Sequence, residues 1–364
     1  MNSDEAPVGV LLINLGTPDS TSTSDVRRYL REFLSDPRVL DIHPLGRWAL
    51  LNLVILPFRP SKSAEAYRSI WTEEGSPLLV YGQSLARRVQ DELGPQFRVE
   101  LAMRYGNPSI PDAAERLMAL QPRKIIVVPL FPQYSSAAFG SAAERALDVL
   151  RVQWNVPPTE VIGPFFDDPD FIHAFADVGR PELESFRPDH VLFSYHGIPE
   201  RQIQKSDPSG EHCLRKLDCC SQLTKNNRFC YRAHCFETTR CLAESLGLDD
   251  GAWSVSFQSR LGRTPWIKPY TDEVLPELAR NGVERVAVYC PAFVADCLET
   301  LEEIGIRAVE DFRDAGGKAL KLIPSLNDHP SWVQAIAKWV RERSTLSRHP
   351  RLTLAGSAAA GSGM

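Results

Sequence analysis

Apolar segments typical of buried strands alternate with helical patterns along most of this 364-residue chain. Each apolar segment ends in polar residues or a turn, as strands of a parallel sheet do at their carboxyl ends. The layout occurs twice, so the sequence predicts an α/β fold with two similar doubly wound lobes, parallel sheets flanked by helices and a cleft between the lobes. The predicted strands span residues 10–15, 99–105, 124–130, 190–195, 253–257 and 285–289.

The length of the chain also favours more than one core, because single cores stop growing beyond about 250–300 residues. We predict an N-terminal α/β lobe over residues 1–160 and a C-terminal α/β lobe over residues 161–327. Apolar residues spaced by four indicate a last helix within residues 328–346, which we expect to pack back on the N-terminal lobe. The Gly-, Ala- and Ser-rich residues 347–364 are expected to form a disordered tail.

Composition excludes several classes of function. With 43% apolar and 24% charged residues, the chain resembles globular proteins rather than disordered or membrane-spanning ones. A net charge of −5 gives no reason to expect a nucleic-acid partner. Residues 1–5 are acidic and lack the pattern of a signal peptide, so we expect a cytoplasmic location with reduced thiols. No G-x-G-x-x-G motif follows the first strand, so no dinucleotide is expected, and the sequence does not specify an oligomeric state.

One apolar run, WALLNLVILPF at residues 48–58, contains only Asn52 as a polar residue. The run is too short to cross a bilayer, which takes about 20 residues. Two interpretations remain, a buried helix or an exposed apolar lip that touches a membrane or a hydrophobic ligand. The neighbouring Arg59 and Lys62 supply cations for lipid headgroups or for a ligand carboxylate.

Two groups of ionisable residues are candidates for chemistry. His196 ends a predicted strand, where an imidazole can accept a proton near neutral pH, although a strand-end histidine can equally be an ordinary loop residue. Asp296, Glu299 and Glu303 would share one face if their segment were helical. Such a face is either a solvated exterior or a cleft-facing set of carboxylates that holds a hard divalent cation.

Eight ordered motifs resemble those of ferrochelatase, the enzyme that inserts ferrous iron into a porphyrin to make haem. The resemblance covers essentially residues 8–343 and is closest to the bacterial enzymes. The motifs are LLINLGTP (11–18), AYRSIWTEEGSPL (66–78), MRYGNP (103–108), PLFPQYS (129–135), SYHGIP (194–199), FQSRLGRTPW (257–266), PYTDE (269–273) and CPAFVADCLETLEEI (290–304).

The resemblance implies that His196 and Glu299 face each other across the porphyrin, as catalytic residues and as contacts for the Fe²⁺ substrate. It also implies that Asp296 and Glu303 form an acidic path for iron, that Arg59 pairs with a propionate and that residues 48–58 form the apolar lip. The remaining substrate-binding residues that it implies are Tyr67, Ser76, Arg104, Tyr105 and Trp266. For the three aromatic residues the alternative is a plain core position.

The resemblance favours protoporphyrin IX as the porphyrin, with coproporphyrin III as the alternative. A chelatase for another metal, such as cobalt, would not share all eight motifs. The rival from another class is a two-lobed protein that carries porphyrin or haem without turnover. A carrier needs no acidic metal path, so we predict an enzyme, a lyase of the metal-chelatase type. Peripheral contact with the inner membrane through residues 48–58 is expected.

Six cysteines fall within the 29 residues from Cys213 to Cys241. In a reducing compartment such crowding favours metal binding over disulfides. Some ferrochelatases hold a [2Fe-2S] cluster through cysteines in a C-terminal extension, but this C-terminus has none. We therefore predict a cluster inside the cysteine-rich insert at residues 211–235, with structural Zn²⁺ as the alternative and free thiols as the remaining possibility. Its ligands are four of Cys213, Cys219, Cys220, Cys230 and Cys235.

Overall fold

The computed structural model describes residues 6–262 and 264–345. The tail predicted at residues 347–364 lies outside these ranges. The described chain contains two four-stranded sheets in which all neighbouring strands are parallel. The first sheet contains β1 (Val8–Thr17), β2 (Phe97–Gly106), β3 (Lys124–Pro129) and β4 (Thr159–Val161). The second contains β5 (His190–His196), β6 (Trp253–Gln258), β7 (Arg285–Tyr289) and β8 (Ala319–Leu322).

The two sheets have the same strand order, β2-β1-β3-β4 in the first and β6-β5-β7-β8 in the second. In both, the chain reverses direction across the sheet beside the first strand, which creates a topological switch point at the carboxyl ends of β1 and β5. The predicted pair of doubly wound lobes is therefore confirmed. The short edge strands β4 and β8, whose residues are half-buried, were not predicted from the sequence.

Helices cover the faces of both sheets. In the first half they are α1 (Thr23–Ser35), α2 (Pro44–Ala49), α3 (Leu56–Ile70), α4 (Pro77–Leu93), α5 (Ile110–Met118) and α6 (Ser141–Arg151). In the second half they are α7 (Pro169–Phe186), α8 (Glu200–Ser206), α9 (Tyr231–Leu246), α10 (Thr271–Arg280), α11 (Leu298–Leu301), α12 (Val309–Asp314) and α13 (Pro330–Arg343). Three short π-helices are inserted at π1 (Leu50–Ile55), π2 (Ser136–Gly140) and π3 (Glu303–Ala308).

Local sequence accounts for the position of several of these elements. Nine of the ten residues of β1 are buried, which fits a nearly continuous apolar run covered on both faces. The Ser22 hydroxyl accepts a hydrogen bond from the backbone N–H of Asp25 and so caps α1. Asp168 caps α7 in the same way, and Pro169 occupies the first position of that helix, where a missing N–H costs nothing.

The last helix, α13, packs against α4 of the first sheet's layer and against α7. Trp332 and Trp339 on this helix contact Phe165, with ring centroids 5.6 and 5.0 Å from it. Phe171 of α7 completes this aromatic cluster. Fully burying one such side chain contributes about 1.5–3 kcal/mol to the free energy of folding. The packing of α13 therefore stabilises the association of the two halves of the chain. Within the described residues, no helix is long and apolar enough to cross a membrane.

Candidate active site

His196 is the last residue of β5 and is half-buried. Its Nδ1 lies 2.5 Å from the carbonyl oxygen of Gly197, and because a carbonyl only accepts, Nδ1 carries the proton of this hydrogen bond. Nε2 is then the unprotonated nitrogen of the neutral ring, free to accept a proton or to bind a metal. The rings of Trp266 and Phe293 flank the imidazole, each 6.3 Å away between centroids.

The turn after His196 is fastened on two sides. Gly197 donates its N–H to the carbonyl of Gln258, at 2.8 Å. A Cβ atom at position 197 would lie 2.9 Å from that carbonyl oxygen and 3.2 Å from the Trp266 ring, so only glycine fits without displacing a neighbour. Ile267 donates its N–H to the carbonyl of Ile198, at 3.0 Å. These bonds hold the segment that carries Trp266 beside His196.

Glu299 lies in the short helix α11 and is half-buried. Its neighbours across the chain come from α3 in the first half of the molecule. Burial, together with the negative charge of Glu299, raises the pKa of Tyr67 well above its usual value. Burial lowers the pKa of Arg59, and the attraction of Glu299 opposes that effect. Glu299 is thus placed among side chains that face it from the other half of the molecule.

The segment from Asp296 to Glu303 is not one continuous helix, so the condition under which the three carboxylates would share a helical face is not met. Cys297 is extended, with φ −148° and ψ −170°, and its side chain caps α11. Asp296 therefore precedes the helix, whereas Glu303 is the first residue of π3. Both flanking carboxylates are hydrogen-bonded within the protein, Asp296 to Thr300, Ser325 and Asn327, and Glu303 to Ser259 and Gln258.

Arg104 and Tyr105, predicted to bind substrate, belong to a buried polar network around Asp36. One carboxylate oxygen of Asp36 accepts hydrogen bonds from Arg104 (2.7 Å), Tyr105 (2.8 Å) and Ser141 (2.5 Å). Burial opposes ionisation of Asp36, but these donors outweigh it and lower the pKa of the carboxyl below its usual value. The network joins α1, β2 and α6, which are elements of one lobe.

Ser76 and Trp266 have assigned partners as well. The Ser76 hydroxyl, which is buried, accepts a hydrogen bond of 2.8 Å from Thr17. The half-buried Trp266 indole donates to the carbonyl of Leu261 at 3.0 Å, and its ring is tilted by 43° to that of His196. Of the residues predicted from the sequence, His196 lies beside Trp266, and Glu299 lies near enough to Tyr67 and Arg59 for its charge to affect their pKa values.

Replacing Asp36 with asparagine is expected to lower the free energy of unfolding by about 3 kcal/mol, because it leaves half-buried Arg104 without its counter-ion. Because the pKa of Asp36 is lowered on folding, its stabilising effect is present above the unfolded value of about 3.9 and is lost as the pH falls through the folded value. Urea unfolding at pH 7 and at decreasing pH measures both effects. Glu144→Gln, which removes a more exposed ion pair with Arg38, is the control and should cost under about 1 kcal/mol. Equal losses in the two variants would contradict the role of the network.

Comparison with known proteins decides the family. A family model described as Ferrochelatase matches residues 7–344. The chain is 52% identical over 335 residues to a ferrochelatase of Coxiella burnetii, covering 92% of this chain and 93% of that relative. It is 49% identical to a ferrochelatase of Pseudomonas entomophila, covering 90% of this chain and 97% of the relative. The chain belongs to the ferrochelatase family. It is therefore a metal chelatase, a lyase that inserts iron into a porphyrin in haem biosynthesis.

A ferrochelatase of Legionella pneumophila is also similar, with 48% identity over 336 residues, covering 92% of this chain and 99% of the relative. Among solved structures, SirB from Bacillus subtilis with Fe³⁺ is similar with a TM-score of 0.52 and 14% identity. That comparison covers 92% of this chain and 95% of SirB. At this identity the likeness concerns the fold alone, and it agrees with the two-lobed α/β architecture of this ferrochelatase.

The cysteine-rich insert of this ferrochelatase folds without regular helix or strand between Asp207 and Cys230. Cys213, Cys219, Cys220 and Cys230 are all buried. The sulfurs of Cys219 and Cys220 lie 3.8 Å apart, and the thiol of Cys230 contacts those of Cys213 and Cys220. The contact with Cys213 is the largest cause that raises the pKa of Cys230 to about 12. The four thiols thus lie next to one another in series, but within the described residues no three metal-ligating side chains are placed so that they could hold a metal ion together.

Cys235 differs from these four. It is fully buried within α9, and burial raises the pKa of its thiol well above the usual value. Two arginines approach the insert near Cys220, where Arg232 donates to its sulfur at 3.1 Å and Arg240 donates to its carbonyl at 3.2 Å. Buried thiols close to cationic side chains are the kind of donor that a soft metal prefers, but the thiols are not arranged around a common centre.

The apolar run at residues 48–58 forms α2, π1 and the start of α3. Leu51 and Leu56 are buried, whereas Phe58 is 75% exposed, Leu53 62% and Trp48 61%. Of the two interpretations drawn from the sequence, the exposed lip describes these side chains and the buried helix does not. The loop before the lip is anchored to α8 through Asp41, which ion-pairs with Arg201 and Lys205.

Sequence reasoning did not single out Gln258, Ser259 or Cys297, which surround Glu299 and Glu303. Gln258 donates a hydrogen bond of 2.7 Å to the carbonyl of Glu299. The thiol of Cys297 contacts the carboxylate of Glu299. The signal that could have found Gln258 and Ser259 was their position at the end of a parallel strand, next to that of His196.

Proposed function

We propose that His196 and Glu299 carry out the insertion of Fe²⁺ into protoporphyrin IX, with release of two protons. The observation that supports this most directly is the half-buried imidazole at the end of β5, whose Nδ1 hydrogen-bonds to the carbonyl of Gly197 and so leaves Nε2 for another partner. Loss of pyrrole protons needs a base whose pKa lies near the working pH, and imidazole is such a base.

Glu299 supplies the complementary group. Within the described residues no cation forms an ion pair with it, so its charge is available to a divalent metal, for which a carboxylate is a suitable ligand. Desolvation of Fe²⁺ on the way to the porphyrin is eased when a carboxylate replaces lost water ligands. Asp296 and Glu303 are the path to Glu299 that the resemblance implies, and because both carboxylates already accept hydrogen bonds, an anchoring role is the alternative for Glu303.

The porphyrin is proposed to lie between the Trp266 side and the Tyr67 side, with a propionate at Arg59. Arg59 is half-buried, and no carboxylate in the described ranges lies within ion-pair distance of its guanidinium. A carboxylate-bearing ligand would satisfy that charge. Ser76, Arg104 and Tyr105 are proposed as supporting residues, since their hydrogen bonds hold the same lobe together.

Iron-insertion assays with protoporphyrin IX and with coproporphyrin III test which porphyrin is the substrate. Protoporphyrin IX is expected to give the higher kcat/KM, because the lip offers apolar side chains to an apolar macrocycle edge. Coproporphyrin III carries more carboxylates and is the alternative. A higher kcat/KM for coproporphyrin III would overturn the assignment, and tight binding of either porphyrin without insertion would favour the carrier function.

We also propose that the enzyme is cytoplasmic and makes peripheral contact with the inner membrane through the lip. Leu53→Ser combined with Phe58→Ser is expected to weaken binding to anionic phospholipid vesicles at least about 10-fold, because burying an apolar side chain contributes about 1.5–3 kcal/mol. Co-sedimentation with vesicles measures the effect. Trp154→Ser is the matched control, since Trp154 is 98% exposed and lies outside the lip. Unchanged partitioning of the lip variant, or an equal loss in the control, would contradict the proposal.

The cysteine-rich insert is proposed to hold a [2Fe-2S] cluster through Cys213, Cys219, Cys220 and Cys230, with structural Zn²⁺ as the alternative. The choice of these four is supported because each buried thiol contacts the next one. Cys235, which is enclosed in α9, is the alternative ligand. A bound cluster would cross-link a segment that has no regular secondary structure and could exchange one electron. The proposed chemistry at His196 and Glu299 does not depend on it.

A further inference from the structure

Gln258 makes hydrogen bonds with both halves of the proposed active site. Through its backbone it is paired with His196 in the sheet and accepts the N–H of Gly197 at 2.8 Å. Through its side chain it donates to the carbonyl of Glu299 at 2.7 Å. The side chain is 2% exposed, so solvent cannot replace these bonds. One residue therefore connects the strand end that carries the imidazole with the helix that carries the carboxylate.

The amide of Gln258 uses its full hydrogen-bonding capacity. Its oxygen accepts from the Ser194 hydroxyl at 2.8 Å and from the Cys290 thiol at 3.6 Å. Its nitrogen donates to Glu299 and, at 3.4 Å, to the Glu303 carboxylate. Two donors on one end and two acceptors on the other fix the orientation of the amide. A side chain held at four points is suited to positioning.

Ser259 extends the same arrangement to Glu303. Its N–H and its hydroxyl donate to the two carboxylate oxygens of Glu303, at 2.8 and 2.5 Å. The backbone of Ser259 has φ +66°, a left-handed conformation that a serine adopts only when its surroundings impose it. With the Gln258 amide, three donors point at the Glu303 carboxylate, which begins the π-helix π3 directly after α11.

The flanking carboxylates therefore differ from Glu299. Asp296 is 5% exposed and accepts from Thr300, Ser325 and Asn327. Glu303 is held by Gln258 and Ser259. Glu299, by contrast, has no ion pair within the described residues. Three hydrogen bonds occupy most of the acceptor sites of a carboxylate, so Asp296 and Glu303 have less capacity left for a metal ion than Glu299, whose carboxylate contacts the Cys297 thiol.

We infer that Gln258 and Ser259 form a clamp that positions Glu299 relative to His196, and that Glu303 is an anchor of this clamp rather than a stopping point for iron. The inference rests on the proposed function of His196 and Glu299. It makes Gln258 a positioning residue, since it acts through Glu299 and His196 and touches neither the metal nor the porphyrin.

The test is a steady-state analysis of Gln258→Met, Gln258→Glu and Glu303→Gln with Fe²⁺ and porphyrin varied separately. Both Gln258 variants should lower kcat about 10-fold, because a misplaced reacting group loses about that factor or more. Their KM for Fe²⁺ and their porphyrin affinity, measured by fluorescence quenching, should stay within about twofold of the parent values. Wild-type kcat in Gln258→Met with loss only in Gln258→Glu would show a packing role and overturn the positioning role.

The variant Glu303→Gln distinguishes a role of Glu303 as an anchor of the clamp from a role in the path of iron. The amide that replaces the carboxylate in this variant would keep an acceptor for Ser259, so the anchor role predicts an unchanged KM for Fe²⁺ and a kcat within about threefold of the parent. A KM for Fe²⁺ raised about 10-fold with unchanged kcat would overturn the anchor role. Glu299→Gln is measured alongside. Full activity there would reject the proposed function itself, whatever the Gln258 variants show.

The sheet provides a matched control. Ser194 and Ser256 both hydrogen-bond the Thr271 hydroxyl in the same buried layer, but only Ser194 also donates to Gln258. Ser194→Ala should lower kcat, whereas Ser256→Ala should leave it unchanged, and equal effects would contradict the clamp. If Gln258→Met fails to fold, Ser259→Ala at a half-buried position removes one donor to Glu303 and should lower kcat about threefold without raising the KM for Fe²⁺.

Discussion

Replacing His196 with alanine is expected to lower the kcat of iron insertion about 10³-fold, within the range that loss of a general base produces. The reason is geometric, because Nδ1 of the ring hydrogen-bonds to the carbonyl of Gly197 and Nε2 is the nitrogen left to act on the substrate. Continuous assay of haem formation under anaerobic conditions measures kcat. A ligand role toward iron would add to the loss, since alanine can neither accept a proton nor bind the metal.

The fold should survive this substitution. His196 is half-buried, and among the described residues its side chain hydrogen-bonds only to its own neighbour, so the free energy of unfolding should change by less than about 1 kcal/mol. His190→Asn is the matched control, because His190 lies at the other end of β5 and bonds to Ser254 away from the proposed site. It should retain kcat. Wild-type turnover in His196→Ala, or an equal loss in the control, would reject His196 as the base.

The architecture was predictable because burial on both faces of a parallel sheet leaves apolar runs in the sequence. The predicted strand 285–289 coincides with β7, and 99–105 lies within β2. The edge strands β4 and β8 were missed, since a short strand that is half-buried has no such run.

The site was predictable only in part. His196 stood out because a strand end positions its side chain by topology alone. The interruption of the helix between Asp296 and Glu303 was not predictable in this way. The contacts that hold Glu303 come from Ser259 and Gln258, more than 30 residues away in sequence. A spacing rule for one helix cannot include such contacts. For the same reason nothing in the sequence indicated that Asp36 pairs with Arg104, 68 residues further along.

The second large effect is expected at the insert, where replacing any one of the four contacting cysteines with serine should eliminate the proposed cluster. Protein purified anaerobically should contain about two irons per chain and absorb visible light, whereas Cys230→Ser should contain no cluster iron and show no such absorbance. Cys230 is the most informative position, because its thiol contacts both Cys213 and Cys220. Iron analysis and absorbance spectra measure the loss directly.

Cys241→Ser is the control for this experiment. Cys241 is half-buried in α9, where its sulfur lies 4.0 Å from the Glu237 carboxylate and outside the four contacting thiols, so the cluster should persist in that variant. About one zinc per chain and no visible absorbance in the parent would establish the structural zinc alternative, and neither metal would mean free thiols.

Cys235→Ser decides the ligand set. The cluster is expected to persist, because Cys235 is enclosed in α9 whereas the other four thiols touch in series within the insert. If the cluster were lost in Cys235→Ser but persisted in Cys219→Ser, Cys235 would be the fourth ligand in place of Cys219. That result would also mean that the insert rearranges around the metal, since the Cys219 and Cys220 sulfurs, now 3.8 Å apart, would then have to separate.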